Sequence, residues 1–250
     1  MEQDSEAWKL ACLMRSVVGE LAEERRKIAL MFSGGLDSTI LAVIARKHCD
    51  LVLYTLGLED SHDLRWGREC ASIMDLDLVS IVPEKDDVIR SIGNVTKVHG
   101  MDNPQWLSTF VAFDIVLENV PDKAIMCGQG ADELFGGYRK YAASGDPVPM
   151  MVNDTSELLE LELPAYRRMA NNHGKELLAP YLDTRVVSFA QSIPIGLKIS
   201  ASENKIVLRD AAGLLGVPLM MARKQKKAMQ YGSGISKLIR QHLKKPDSNI

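Results

Sequence analysis

An α/β fold organised around a parallel sheet is what this sequence predicts, and three observations lead there. Short, continuous apolar runs alternate with segments of helical period up to about residue 142. Two glycine-rich loops each follow directly on one of those apolar runs. After Tyr141 the strand signals stop and only helical patterns follow. Such alternation implies βαβ units with right-handed crossovers, and sheets of this kind bind ligands beyond the carboxyl ends of their strands.

Taken in order, residues 5–26 carry Trp8, Ala11, Cys12, Val17, Val18, Leu21 and Ala22 at mostly helical spacing. The charged run Glu23 to Lys27 ends what reads as an amphipathic helix. Ile28 to Phe32 is a short apolar run stopped by Ser33-Gly34-Gly35, as expected of a strand buried on both faces. Helical pattern resumes from Ser38 through Lys47. The unit then repeats, with strands over Leu51–Leu58 and Leu78–Val82, a helix over Ser61–Met74, and helical segments up to Glu118. A fourth strand is expected over Ala124–Cys127, and Gly145 to Pro149 reads as a loop. Helices are predicted near 154–173, 184–192, 203–215 and 233–243, followed by a polar tail from Lys244 that should fray. The expected organisation is a single domain: an N-terminal helix over 1–27, an α/β core over 28–142 and an all-helical portion over 150–243.

Composition narrows the class. Of 250 residues, 46% are hydrophobic and 25% charged, a globular profile with enough apolar mass for a core. The formal net charge of −3 supplies no basic field for nucleic acid or an anionic membrane. Cys12, Cys49, Cys70 and Cys127 form no C-x-x-C pair, which argues against a zinc site or a disulfide framework and for reduced thiols in a cytoplasm. The start Met1-Glu2-Gln3-Asp4 has no signal-peptide pattern, and no apolar run is long enough to span a bilayer. A soluble cytoplasmic protein with no membrane partner is the expectation.

The segment Ser33-Gly34-Gly35-Leu36-Asp37-Ser38 sits between a buried strand and a helix, so backbone N–H groups and the positive helix end face one spot. Glycine permits close approach of an anion, Ser33 and Ser38 offer hydroxyl donors, and Asp37 can hold a divalent cation. A Walker loop would need a lysine that is missing here, and the G-x-G-x-x-G fingerprint is missing too. What the segment resembles is the SGGxDS signature of the PP-loop ATP pyrophosphatases, which cleave ATP between its α and β phosphates.

The second loop, Cys127 to Tyr138, places four glycines around Asp132-Glu133. Adjacent acids on flexible backbone suit a grip on metal and polyphosphate together, and they equally suit capping of a helix N-terminus. With the first loop, this segment is similar to SGEGxDELFGGY of the C-terminal synthetase domain of asparagine synthetases, N-type members of the PP-loop superfamily. Lys175 to Asp183 is similar to the family's E-x-R-x-PFLD, Lys205 to Arg209 to its K-x-x-LR, and Arg223 to Lys226 to its basic RxK segment.

That resemblance implies a PP-loop, Rossmann-like fold and a ligase of amino-acid biosynthesis that uses ATP and Mg2+ to make an amide, releasing AMP and pyrophosphate. It places Ser33, Gly34, Gly35, Asp37 and Ser38 on the ATP phosphates, and Asp37 with Asp132 on Mg2+. Backbone near Met31, Leu56, Cys127 and Gly128 would frame the adenosine, and Lys226 would stabilise the departing pyrophosphate. Lys205 and Arg209 are supporting cations under the resemblance, and on spacing alone they are also two residues of one helix face. Glu176 and Asp183 read as structural carboxylates, Asp183 especially.

Three departures matter. The family glutamate of the second loop is Gln129, a neutral amide that can orient an acceptor or a nitrogen nucleophile but cannot act as a base. The arginine of the third motif is Leu178. About 27 residues precede the first strand, so no N-terminal glutaminase domain is expected, and ammonia is expected to be free or to come from a separate protein such as a glutaminase. The acceptor expected is aspartate or another small carboxylate, with Lys226, Asp132, Gln129 and Glu133 as the catalytic set and a homodimer allowed. Two other readings stay open: a PP-loop enzyme acting on a different carboxylate or an RNA base, and a catalytically silent nucleotide-binding regulator.

Overall fold

The computed structural model describes residues 5–99, 104–224 and 233–243. Five parallel strands form one sheet in the order β3-β2-β1-β4-β5. The chain enters through helix α1 (Glu6–Glu23), capped by the Ser5 hydroxyl accepting from the Trp8 N–H at 3.2 Å. Strand β1 (Lys27–Met31) follows, with Ile28, Ala29 and Leu30 fully buried because both faces of the sheet are covered. Each buried Ile or Leu side chain of this kind contributes about 1.5–3 kcal/mol.

Helix α2 (Leu36–Ala45), strand β2 (Asp50–Leu56), helix α3 (His62–Met74) and strand β3 (Leu78–Ile81) complete two βαβ units running away from β1 in one direction. Helices α4 (Lys85–His99) and α5 (Pro104–Asn119) then carry the chain back, and β4 (Ala124–Met126) pairs with the other side of β1. The strand order therefore reverses between β1 and β4. A crevice opens at that point, and it receives the loops that follow both strands.

Strand alternation divides the core. Ile28, Leu30, Leu53 and Met126 face a cluster with α1, α2 and α3. Ala29, Tyr54, Ile125 and Leu177 face a second cluster with α4 and α5.

Beyond β4 come the short helices α6 (Ala131–Phe135) and α7 (Arg139–Ala142). Helix α8 (Val148–Glu157) starts inside the stretch expected to be a loop, since Pro149 falls in the first helical turn, where its missing N–H costs nothing. A π turn over Leu158–Glu162 joins α8 to α9 (Leu163–Asn172), with the Leu163 N–H donating to the Leu158 carbonyl.

The portion expected to be all-helical contributes one strand. Residues Glu176–Leu178 form β5, parallel to β4, with the Glu176 N–H donating to the Lys123 carbonyl at 2.7 Å and the Cys127 N–H to the Leu178 carbonyl at 2.9 Å. Three residues are too few to show a period of two, so the strand leaves no pattern in the sequence. Helices α10 (Thr184–Ser192), α11 (Ile206–Leu215), α12 (Leu219–Ala222) and α13 (Ile235–Leu243) finish the described chain.

The two carboxylates read as structural are so placed. Asp183 caps α10, accepting from the Arg185 N–H at 2.9 Å and pairing with its guanidinium, and Glu176 pairs with Arg25 at 2.6 Å on the surface. Among the described residues no helix is long and apolar enough to cross a membrane.

Leu178 is 4% exposed and packs in the core, so the arginine of the third motif has no room in this strand. Leu178→Arg is expected to lower stability by at least about 3 kcal/mol, or to prevent soluble folding, because it buries an unpaired charge. A soluble variant with an unchanged melting temperature would show that a side chain here reaches solvent instead.

Candidate active site

The first loop is built by packing beneath it. Gly34 adopts φ +67, and a Cβ there would meet the Trp66 ring at 2.7 Å and the Cys70 sulfur at 2.8 Å, so glycine is required twice over. Trp66 Nε1 donates to the Gly34 carbonyl at 2.9 Å, and the Lys224 ammonium lies 3.0 Å over the Trp66 ring. The Ser38 hydroxyl donates to the Gly35 carbonyl at 3.2 Å and accepts from the Ser33 N–H at 3.4 Å, which closes the turn into the first turn of α2. From the third motif, the Tyr181 hydroxyl donates to the Asp37 carbonyl at 3.1 Å.

Asp37 and Asp132 converge on one cation. The Lys205 ammonium stands 2.7 Å from Asp37 Oδ1 and 2.6 Å from Asp132 Oδ1, with its side chain 4% exposed. Its backbone carries the strain of reaching there: φ is +54, a left-handed conformation costing a non-glycine residue on the order of 1 kcal/mol or more. The bridge between Ile199 and Asn204 and the bonds from the Arg209 guanidinium to Asn204 hold that conformation. A Cβ on Gly137 would collide with both the Asp132 carboxylate and the Lys205 stem, so the second loop needs glycine there.

Both loops open on a cavity of about 440 Å3 lined by Met31, Ser33, Asp37, Ser38, Cys127, Gly128, Gln129, Asp132 and Glu133 among others. Its further wall comes from α5 and from the α8–α9 helix, including Asp154, Glu157 and Glu162. Glu133 is buried, its carboxylate accepting from the Tyr138 hydroxyl at 2.6 Å, and burial followed by the neighbouring Asp132 pushes its pKa up. Burial, reinforced by Glu133, Glu157 and Asp154, pushes Glu162 up to about 7. The Cys127 thiol is pushed up to about 11 by burial, which leaves it un-ionised and inert.

Of the residues singled out in the sequence, Gly34 and Gly35 shape the first loop without lining the cavity, and Leu56 ends β2 outside that lining. Lys226 lies outside the described residues. Lys205, read only as a supporting cation, proves to be the centre of the charge arrangement. Tyr138 closes the second-loop motif, whereas Glu162 and Tyr166 gave no signal, because nothing in a helical pattern says which face will border a cavity.

ATP and Mg2+ can be tested against these groups. Among the described residues no three His, Cys, Asp or Glu side chains gather as a metal cage. Mg2+ carried on a polyphosphate asks for less, one or two carboxylates with phosphate oxygens and water completing the shell. Asp37 and Asp132 meet that requirement, and the Lys205 ammonium between them shows that the pair accommodates a cation.

Two carboxylates from two glycine-rich loops, meeting at the switch point of a parallel sheet, define the class of architecture to which this chain belongs. The chain belongs to the asparagine synthase family, whose profile matches residues 9–149 and 146–248. It is 30% identical over 261 residues to a Methanocaldococcus jannaschii protein named as a glutamine-hydrolysing asparagine synthetase, covering 88% of this chain and 48% of that relative. It is also 30% identical to mouse asparagine synthetase domain-containing protein 1, covering 79% of this chain and 31% of the relative. The chain thus spans about half or less of the curated relatives it matches. Among solved structures, NMN synthetase from Francisella tularensis resembles it with a TM-score of 0.49 at 10% identity, over 98% of this chain and 89% of that one.

Lys205→Ala leaves two carboxylates facing each other without a cation and is expected to cost about 3 kcal/mol, or roughly 6–12 °C in melting temperature. Millimolar Mg2+ should restore part of that loss, and an unchanged melting temperature in EDTA would contradict the arrangement. A second expectation concerns pH. Because the Glu162 pKa rises from 4.5 to about 7 in the folded state, its burial costs nothing below pH 4.5, and the penalty grows as pH rises to 7. Glu162→Gln mimics the neutral carboxyl, so it should leave stability unchanged at low pH and add about 1–3 kcal/mol above neutrality. Melting curves of both proteins across that range check it, and equal gains at all pH values would refute the assignment.

Proposed function

We propose that this chain carries out ATP-dependent amide synthesis, activating a carboxylate by adenylation and releasing pyrophosphate. The observation that carries the reading is the meeting of Asp37 and Asp132, from two different glycine-rich loops, on the single ammonium of Lys205. Family membership supports the same chemistry.

In this reading the N–H groups and hydroxyls of Ser33 to Ser38 receive the polyphosphate at the start of α2, where the helix dipole favours negative charge. Mg2+, held by Asp37 and Asp132, neutralises phosphate charge when bound. Lys205, which adjoins both carboxylates, would stabilise the charge developing on the departing pyrophosphate. An oxygen of the acceptor carboxylate attacks the α-phosphorus, the bond to the bridging oxygen breaks, and pyrophosphate leaves. Ammonia or an amine then attacks the activated carbonyl carbon, forming the C–N bond as the C–O bond to AMP breaks. No protein nucleophile is needed, since alignment and charge neutralisation carry the step. Gln129, which lines the cavity, orients the acceptor or the nitrogen through its amide.

The role assigned to Lys226 rests on the sequence motif alone. Ammonia from a separate glutaminase remains one nitrogen source, in keeping with relatives named as glutamine-hydrolysing.

The test is pyrophosphate exchange into ATP and AMP release in the presence of carboxylate and amine mixtures. Asp37→Ala and Asp132→Ala should each lower both by about 100-fold or more while the fold survives. AMP formation undiminished in either variant would overturn the reading.

A further inference from the structure

The cavity has two chemically different halves. Toward the phosphate-loop end, the carboxylates of Asp37 and Asp132 share the Lys205 ammonium. The α8–α9 helix adds Asp154, Glu157 and Glu162, beside Glu133 of the second loop, and among the lining residues these acids face a single cation, Lys140. Lys140 is itself engaged by Asp154 at 2.6 Å, and Asp154 also accepts from the Tyr141 hydroxyl. Glu157 and Glu162 form no ion pair among the described residues.

The π turn brings these acids together. Residues five apart on an α-helix diverge by roughly 140° around the axis. A turn closed by an i→i−5 bond takes up more residues, which brings Glu157 and Glu162 toward one face. Single π turns inside α-helices recur at functional sites. Tyr166, four residues beyond Glu162, continues the same face.

Tyr166 supplies a second, independent sign of a ligand. Its residue is 1% exposed, it lines the cavity, and its hydroxyl makes no hydrogen bond among the described residues, the Gln129 amide lying beside it without the geometry for one. A buried hydroxyl left unpaired is costly unless something that enters the cavity satisfies it. Around it the rings are packed edge and face: Phe110 lies 4.5 Å and Phe113 4.9 Å from Tyr166, centroid to centroid, and Trp106 lies 6.4 Å from Phe110. Aromatic faces beside carboxylates are the chemistry that holds a desolvated ammonium on an apolar body. A dicarboxylate finds the reverse: no arginine lines the cavity among the described residues, and Leu178 is in the core where the family motif has one.

We propose that this half of the cavity binds an organic ammonium, so that the substrate meeting the activated carboxyl is a primary amine on an apolar carbon body. The assignment of that amine to the amide-forming step rests on the function proposed above, while its binding does not.

Calorimetry on the nucleotide-free chain tests it, with benzylammonium and butylammonium as probes, benzyl alcohol as neutral counterpart, and ammonium chloride and potassium aspartate as alternatives. Benzylammonium is expected to bind at least tenfold more tightly than benzyl alcohol or ammonium, and aspartate not to bind. Glu162→Gln should weaken benzylammonium at least tenfold, and Tyr166→Phe, which removes only one oxygen, at least threefold. Equal binding of amine and alcohol, binding of aspartate in preference, or no binding of either organic amine overturns the proposal. Asp37→Ala separates the two readings: it should abolish ATP turnover and leave benzylammonium affinity within twofold. Failure of exchange with amine binding intact would sink the ATP chemistry alone, and the opposite pattern would sink the amine alone.

Discussion

The ammonium of Lys205, buried between the carboxylates of Asp37 and Asp132, is the contact on which the rest of this structure depends. Each of its three charges is delivered by a different segment, the loop after β1, the loop after β4 and the turn before α11. Removing water from such charges is expensive, so the arrangement holds only where every partner is in place. That requirement accounts for several otherwise unrelated features. Gly137 must lack a side chain, Lys205 must accept a left-handed backbone, and Tyr181 must reach across to hold the Asp37 carbonyl. A buried ion triad adds little net stability, and what it contributes is placement of two acids at one point.

The sheet makes that point possible. Because β4 pairs on the opposite side of β1 from β2, the loops after β1 and β4 leave the sheet side by side instead of on separate edges. The third motif then acts from beneath. Strand β5 extends the sheet beyond β4, and the turn that follows delivers Tyr181 to the first loop and Leu182 against Gly130 of the second. Residues that read as a sequence motif therefore act as a brace, with Asp183 capping the next helix.

The two side-chain departures from the family pattern are related by charge. Gln129 in place of a glutamate and Leu178 in place of an arginine remove one negative and one positive group from the expected site. Besides Asp37, Asp132 and Glu133 of the two loops, further carboxylates come from the α8–α9 helix, which brings Asp154, Glu157 and Glu162 to the cavity. Under the proposed function the phosphates are held by the shared loops, and under the proposed amine site the second substrate meets a helix whose facing residues lie outside the shared motifs. On that reading nucleotide binding and acceptor specificity sit on separate elements, so that one can change without disturbing the other.

By itself the sequence determined the parallel α/β core, the two loops and the pair of acids, because apolar period, glycine and short motifs act locally and are read within a few residues. It also placed Asp183 in a structural role, since a carboxylate at a helix junction finds a local N–H. Only the tertiary structure decided that Lys205 rather than a surface face carries the central charge, that Glu176–Leu178 is a strand, and that Glu162 and Tyr166 border the cavity. The reason is distance along the chain: Lys205 meets Asp37 across 168 positions, and no local pattern records which buried face of a helix will open on a cavity and which on the core.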